Sequence, residues 1–144
     1  MDRISPQADE LIRHAITARE RAYAPYSQFR VGCAVLDASG GIHYGCNVEN
    51  AAYGPTNCAE RTALFRAIAD GHKPGSFRAL AVVADTEGPI TPCGVCRQVM
   101  LELCYADMPV YMANLKGDVT ETTIAQLLPG AFGASPPQSN YPGS

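Results

Sequence analysis

Four residues of the sequence have the types and spacing to perform chemistry together. Cys58 and Glu60 lie in the stretch NCAER, residues 57–61, while Cys93 and Cys96 lie in PCGVCR, residues 92–97. Catalytic zinc sites use three protein ligands and leave the fourth position to water or substrate. Cys93 and Cys96 are three apart, so on a helix their sulfurs share a face. With Cys58 they predict an open zinc site, in which Glu60 moves protons between water and substrate.

The same residues have simpler interpretations. Asn57 and Glu60 also fit an Asn-x-x-Glu capping box, in which Asn57 caps a helix and Glu60 binds the backbone of the cap. The CxxC pair alone could be a redox pair. A closed structural zinc site normally has two CxxC knuckles and this chain has one, although other cysteines could supply a fourth ligand. Those cysteines are Cys33, Cys46 and Cys104.

The spacing of the histidines and the positions of two arginines bear on the composition of the predicted site. His14, His43 and His72 show no His-x₃₋₅-His spacing, so the sequence gives them no place in a metal site. Three thiolates around Zn²⁺ carry a formal charge of −1, which opposes ionisation of a bound water. Arg61, next to Glu60, is the first candidate to compensate that charge, and Arg97 is a weaker one. Two helices beginning at the thiols would add positive potential.

Composition and charge restrict the partners. The chain has 144 residues, a net charge of −3 and eleven Lys and Arg residues that do not cluster, which disfavours a nucleic-acid partner. No apolar run approaches the roughly eighteen residues of a membrane span. The amino terminus lacks the apolar stretch of a signal peptide, so we expect a cytoplasmic protein without a membrane partner. Six cysteines in such a protein favour free thiols or metal ligation over disulfides.

The order of predicted elements indicates an α/β fold, a three-layer α/β/α sandwich with a mixed central sheet. A helix capped by Ser5 is followed by a hairpin, in which Gly45 suggests a bulge or a close backbone approach. The predicted helices cover residues 6–23, 58–70, 91–104 and 124–128, and the predicted strands 29–37, 42–47, 78–85 and 109–113. Residues 1–133 are expected to form one domain, and the Pro- and Ser-rich residues 134–144 a mobile tail.

The chemical residues and three further blocks resemble the small homotetrameric, zinc-dependent cytidine deaminases. Cys58-x-Glu60 with Cys93-x-x-Cys96 matches the zinc deaminase signature in its all-cysteine version, with Cys58 in place of the usual histidine. The other blocks are YSQFRVG (26–32), NVENAAYG (47–54) and LLPGAF (127–132). The CxxC pair alone is a weak signal, whereas the blocks in this order and spacing are specific.

The resemblance implies a reaction and its machinery. Cys58, Cys93 and Cys96 would hold one Zn²⁺ per subunit, and Glu60 would carry a proton from water to the ring N3 and then to the leaving ammonia. Zinc-bound hydroxide would attack C4 of cytosine. Cytidine and 2′-deoxycytidine would become uridine and 2′-deoxyuridine, in pyrimidine salvage. A deaminase of modified or antibiotic cytosine nucleosides, of the blasticidin type, and a structural zinc or thiol protein stay open as alternatives.

The resemblance also implies a nucleoside pocket shared between subunits of a homotetramer. Its residues would be Asn47 and Glu49 on a ribose hydroxyl, Phe29 along the base, the Ala59 amide on the pyrimidine carbonyl, and Tyr53 and Phe132 completing a neighbour's pocket. From the residues alone, Asn47 could instead cap a loop, Glu49 could lie at the surface and Phe29 could belong to the core. Phe132 alone would more often be a stray packing contact.

Overall fold

The computed structural model describes residues 5–137 and contains a five-stranded sheet between helices. In chain order the elements are α1 (Pro6–Arg19), β1 (Val31–Asp37), β2 (Ile42–Cys46), α2 (Ala59–Ala69), β3 (Phe77–Ala84), α3 (Gly94–Leu103), β4 (Pro109–Asn114), β5 (Val119–Thr123) and α4 (Ile124–Leu127). The strand order is β2-β1-β3-β4-β5, with β3 and β4 parallel and the other neighbours antiparallel. The predicted α/β sandwich with a mixed sheet is confirmed.

Each face of the sheet buries its own apolar core. Successive side chains of a strand point to opposite faces, so Ala34 and Ala81 pack toward α1 while Val35 and Val82 pack toward α2 and α3. All four are fully buried. Small alanines on the α1 side let that helix lie close to the sheet, and the larger side chains on the other side fill the space beneath the two helices. The sandwich thus has three layers.

The first helix begins as predicted and ends earlier. The Ser5 hydroxyl accepts a hydrogen bond from the Ala8 amide at 3.1 Å, so Ser5 is the N-cap. The helix ends at Arg19 because the backbone of Tyr23 forms hydrogen bonds with another segment of the chain. The Tyr23 amide donates to the carbonyl of Asn47 at 3.0 Å, and the Tyr23 carbonyl accepts from Glu49 at 2.9 Å. This bridge places the loop that contains Phe29 beside the segment that begins at Asn47.

An edge strand, β5, lies where the sequence predicts no element. It pairs antiparallel with β4, after a turn in which the Asn114 side chain accepts from the amides of Lys116 and Asp118. The sequence of β5, VTETT, is rich in β-branched residues, which is a strand signal. It lacks the apolar alternation of a half-buried strand because this strand buries little, so hydrophobic periodicity does not predict it.

Gly45 marks a close approach between the second strand and the second helix. A β-carbon at Gly45 would lie against the Ala59 carbonyl oxygen and the Ala63 amide, and 2.8 Å from the Ala63 β-carbon. Only glycine leaves room for the helix backbone there. The predicted close approach is confirmed, and it fixes the position of α2, the helix that follows Cys58, on the sheet.

The turn between β1 and β2 is organised by the carboxylate of Asp37. Its Oδ1 accepts from the Ser39 amide at 2.8 Å, the Ser39 hydroxyl at 2.6 Å and the Gly41 amide at 3.0 Å. Its Oδ2 lies 2.8 Å from Nε2 of His43. Burial by itself raises the pKa of Asp37, but the hydrogen bonds from Ser39, His43 and Gly41 outweigh burial and lower it from 3.8 to about 2.

Asp37 is expected to stabilise the fold above about pH 4 and to lose that contribution as the pH falls through about 2, because its pKa is lower in the folded state. The shift corresponds to about 2 kcal/mol. Urea unfolding in the presence of a chelator should show wild type more stable than Asp37→Asn near pH 6 and should show the difference in unfolding free energy shrinking near about pH 2.5. The exposed Asp9→Asn is the control, with a small difference at both pH values. A wild-type advantage that persisted unchanged in acid would contradict the prediction.

The start of the predicted tail lies on the protein. A β-carbon at Gly75 would be 3.5 Å from the Pro136 β-carbon and against the Pro137 carbonyl oxygen. Residues 138–144 lie outside the described residues, so the predicted mobility and the domain limit at residue 133 stay predictions. Between residues 5 and 137, no helix is long and apolar enough to cross a membrane.

Candidate active site

Three thiols from two separate segments meet at one point. Cys58 is the N-cap of α2, Cys93 is the N-cap of α3, and Cys96 lies in the first turn of α3. Their sulfurs are all within 4.8 Å of one another, and those of Cys58 and Cys93 are 3.8 Å apart. Tetrahedral Zn–S bonds of about 2.3 Å separate two sulfurs by about 3.8 Å. The three thiols therefore fit a zinc ion in number, chemistry and spacing.

The other cysteines are not part of this group. All six cysteines are free thiols, and Cys33 and Cys104 are fully buried in the core beneath α2 and α3. Burial raises the pKa of Cys33 well above its usual range and that of Cys104 to about 12. These two thiols stay protonated and behave as small apolar side chains. The group has three sulfur ligands, as an open site requires.

The capping box, which was the alternative interpretation of Asn57 and Glu60, does not form. The N-cap of α2 is Cys58 and not Asn57. The side-chain amide of Asn57 donates instead to the Thr62 hydroxyl at 3.2 Å. The reason is the backbone pairing of Asn57 with Val48, whose amides and carbonyls exchange two hydrogen bonds of 2.9 Å. The pairing holds Asn57 extended, so the helix starts one residue later. Glu60 then stands at the second helical position and is released from a capping role.

The thiols sit in a positive electrostatic environment. Both N-cap cysteines lie at helix N-termini, where the helix dipole favours negative charge. A hydrogen bond with Cys96 holds the pKa of Cys58 below its usual range, with help from Arg61, and the same hydrogen bond raises the pKa of Cys96. The Arg61 Nη2 donates to the Cys58 sulfur at 3.4 Å, and its Nε is buried without a partner. The sequence-based choice of Arg61 agrees with this geometry.

Arg97 donates to two backbone carbonyl oxygens and not to a thiol. Its Nε donates to the Pro92 carbonyl at 2.8 Å and its Nη1 donates to the Leu127 carbonyl at 2.9 Å. The guanidinium thereby joins the segment before α3 to the end of α4. Of the two arginines, Arg61 is the one that contacts a thiol.

Glu60 is buried beside the thiols, with 4% of its surface exposed. Burial raises the pKa of its carboxyl group to about 7, and the negative charge of Cys58 adds to the rise. A carboxyl group with such a pKa can both accept and release a proton near neutral pH. The geometry thus gives Glu60 the properties that a proton carrier needs.

Asn47 and Glu49 bind the neighbouring loop. The Asn47 amide accepts from the Val31 amide and donates to the Phe29 carbonyl, both at 2.8 Å. Glu49 accepts from the backbone amides of residues 26 and 27 and from the Ser27 hydroxyl, whose hydrogen bond lowers its pKa. The loop-capping role considered for Asn47 is what these contacts show. Each side chain keeps further hydrogen-bonding capacity for a ligand.

A cleft of about 380 Å³ contains Glu49 and Tyr53 together with Tyr26, Ser27, Asn50 and Thr56. A cavity of about 470 Å³ between α1, β2 and α2 contains none of the predicted site residues. Phe29 is 39% exposed and so lies outside the core. The aromatic side chains of Tyr53 and Phe132 are 78% and 88% exposed. Ala59 is the first residue of α2, where the amide has no acceptor within the helix.

The fold brings together a second group of potential ligands that the sequence does not predict. Asp37, His43 and His72 place their ligand atoms within 4.8 Å of one another. They belong to a strand end, the next strand and the segment after α2, so no short spacing connects them. Only the tertiary fold reveals the group.

Comparison with known proteins agrees with the geometry. A family model described as the cytidine and deoxycytidylate deaminase zinc-binding region matches residues 5–112. A protein named cytidine deaminase from Sporosarcina psychrophila is 62% identical over 124 residues, which cover 86% of this chain and 90% of the relative. Another of the same name, from Halalkalibacterium halodurans, is 59% identical over 124 residues, covering 86% and 92%.

Solved structures give the same result. The crystal structure of cytidine deaminase from Burkholderia pseudomallei has 55% identity and a TM-score of 0.85, covering 90% of this chain and 100% of that one. That of cytidine deaminase from Mycobacterium tuberculosis has 36% identity and a TM-score of 0.77, covering 90% and 99%. With the matched zinc-binding region, these similarities show that the chain belongs to the zinc-dependent cytidine and deoxycytidylate deaminase family.

Proposed function

We propose that this protein hydrolyses cytidine and 2′-deoxycytidine to uridine and 2′-deoxyuridine, with release of ammonia. The observation that carries the proposal is the buried Glu60 two positions after Cys58, at the point where Cys93 and Cys96 complete a three-thiol site. An acid–base carboxyl group next to an open zinc site is the minimum that hydrolytic deamination requires. The names and titles of the similar proteins support the substrate class.

The chemistry divides between zinc and the chain. Zinc held by the three thiolates supplies a Lewis acid that makes water nucleophilic near neutral pH. Glu60 accepts a proton from that water at its carboxylate and delivers it to N3 of the cytosine ring. The oxygen of that water forms a bond to C4, and Glu60 then takes the remaining proton from this oxygen and passes it to the amino group as the C4–N bond breaks, so water and cytidine give uridine and ammonia. Because Glu60 is nearly excluded from bulk water, its proton goes to the substrate.

Other residues hold the nucleoside and tune the thiols. The Ala59 amide would donate to the pyrimidine carbonyl, and Phe29 would pack along the base. Asn47 and Glu49 would bind a ribose hydroxyl with the hydrogen-bonding capacity that their loop contacts leave free. Arg61, 3.4 Å from the Cys58 sulfur, compensates the negative charge of three thiolates.

The substrate test compares cytidine with CMP. Glu49 is an exposed carboxylate, and the Ser27 hydroxyl lowers its pKa, so it stays ionised and repels a phosphate near the ribose. We expect kcat/KM for CMP to be lower than for cytidine by about tenfold or more. Loss of the cytosine absorbance band measures both rates, with zinc determined on the same sample. Glu49→Gln should bring the kcat/KM values for cytidine and CMP closer together. Equal kcat/KM values of the wild type on the two substrates would contradict the assignment of a nucleoside substrate.

We infer that the active protein is a homotetramer whose sites are shared between subunits, and that it works in the cytosol. Exposed aromatic side chains at Tyr53 and Phe132 support a subunit contact, since aromatic residues are enriched in protein–protein interfaces. The free thiols are compatible with a reducing compartment.

Removal of the Phe132 side chain tests the shared site. Because Phe132 is 88% exposed, Phe132→Ala should leave thermal stability of the subunit nearly unchanged. We expect it to lower kcat/KM at least about tenfold through the loss of a contact in the neighbour's pocket. Thermal unfolding measures the stability, the absorbance assay measures kcat/KM and sedimentation velocity measures the oligomeric state, with the exposed Leu115→Ala as control. A fully active monomer would overturn the inference.

A further inference from the structure

Asp37, His43 and His72 converge where the β1–β2 hairpin meets the segment that follows α2. Oδ2 of Asp37 lies 2.8 Å from Nε2 of His43 and 3.4 Å from Nε2 of His72. The two imidazole rings stand 4.5 Å apart between centroids, at 69° to each other. The three ligand atoms, two nitrogens and one oxygen, therefore lie within 4.8 Å of one another, in a group separate from the three thiols.

The carboxylate is held in one orientation by the turn. Its other oxygen, Oδ1, already accepts from the amides of Ser39 and Gly41 and from the Ser39 hydroxyl. These contacts aim Oδ2 at the two histidines, as outer hydrogen bonds aim the ligands of metal sites. The Asp37 side chain is 2% exposed, while those of His43 and His72 are 11% and 21% exposed. An ion could therefore enter from solvent and keep water on its open side.

The spacing suits a first-row divalent cation. Bonds of about 2.0–2.1 Å at a tetrahedral angle separate two ligand atoms by about 3.3 Å. The 3.4 Å between Asp37 and His72 matches that value, and the 2.8 Å between Asp37 and His43 would widen by about half an ångström. One negative carboxylate with two neutral imidazoles is a ligand set used for zinc, iron and cobalt.

We propose that Asp37, His43 and His72 form a second metal site, which binds Zn²⁺ or a similar divalent transition-metal ion and fastens the end of α2 to the β1–β2 hairpin. The hairpin contributes Asp37 and His43, and the segment after α2 contributes His72. The opposite end of this helix starts at Cys58 and carries Glu60. Binding to the folded state alone would raise the unfolding temperature. The proposal does not depend on the substrate of the enzyme.

The test counts metal on the intact holoprotein. Wild type and His72→Asn are dialysed against the same buffered free Zn²⁺, and zinc and protein are measured on each sample. Wild type should bind a second equivalent beyond the thiolate-bound ion, and His72→Asn should lose it and retain deaminase activity. His14→Asn is the control, since His14 bonds to the Tyr44 hydroxyl at 2.5 Å and belongs to neither group. Binding of one equivalent by wild type overturns the proposal.

Cobalt distinguishes the two sites by their spectra. The first equivalent of Co²⁺ on metal-free protein should give the intense thiolate-to-cobalt absorbance of a sulfur site. The second should add only the weak bands of nitrogen and oxygen ligands, in wild type and not in His72→Asn or His43→Asn. Added Zn²⁺ should raise the unfolding temperature of the one-zinc protein, and neither variant should respond. Variants that keep the weak bands or the thermal shift would show that these histidines do not bind the ion.

Discussion

Glu60→Gln is expected to nearly abolish deamination while zinc remains bound. Glutamine has the size and polarity of glutamic acid and cannot release a proton from its amide, so neither proton transfer can occur. General acid–base catalysis contributes about 10²–10⁴-fold, and Glu60 is proposed to act in both transfers. We therefore expect kcat to fall by about 10⁴-fold or more. The absorbance assay measures the rate, and metal analysis confirms the zinc content of the same sample.

The structure separates this effect from a folding defect. Burial disfavours the ionised form of Glu60, as its pKa of about 7 shows, so the neutral amide should not reduce the thermal stability. The exposed Glu102→Gln on α3 is the matched control and should keep full activity. If zinc-loaded Glu60→Gln turned over cytidine at the wild-type rate, Glu60 could not be the proton carrier.

The fold was predictable where local signals and burial agree. The Ser5 cap, the hairpin and the apolar runs of β1 and β3, which are buried on both faces of the sheet, each follow from short stretches of sequence. β5 has β-branched residues and no buried face, so its existence depends on pairing with β4 rather than on its own pattern. Hydrophobic periodicity is a poor predictor of a strand that forms through tertiary pairing.

The grouping of the three thiols could be predicted because Cys58, Cys93 and Cys96 together fit a zinc site, although each motif alone also fits a helix cap or a redox pair. The predicted start of α2 is one residue too early because the backbone of Asn57 pairs with that of Val48. No local sequence signal predicts this contact. The same limit applies to the Asn47 contacts with the loop near Phe29, and to the grouping of His72 with the hairpin. In each case the sequence supplies the chemistry of the side chain, while the fold decides its partner.

Loss of a thiolate ligand is expected to remove both zinc and activity. Cys96→Ala leaves two sulfurs of the group, too few for a stable site with this ligand set. We expect zinc at the thiolate site to be lost and kcat to fall at least about 10⁴-fold, since metal-activated water then no longer forms. Wild type stripped with a chelator should lose activity likewise and recover it when Zn²⁺ is returned.

Cys104→Ala is the decisive control, because it removes a thiol from the opposite end of the same helix without touching the zinc group. Cys104 is fully buried, burial raises its pKa to about 12, and it packs in the core beneath α3. Its replacement should cost about 1 kcal/mol of stability through a small cavity. It should leave the zinc content and the deamination rate at wild-type levels. Equal zinc loss in Cys96→Ala and Cys104→Ala would mean that the metal responds to core packing and not to ligation. Retention of zinc and full turnover by Cys96→Ala would remove the thiolate site from the mechanism altogether.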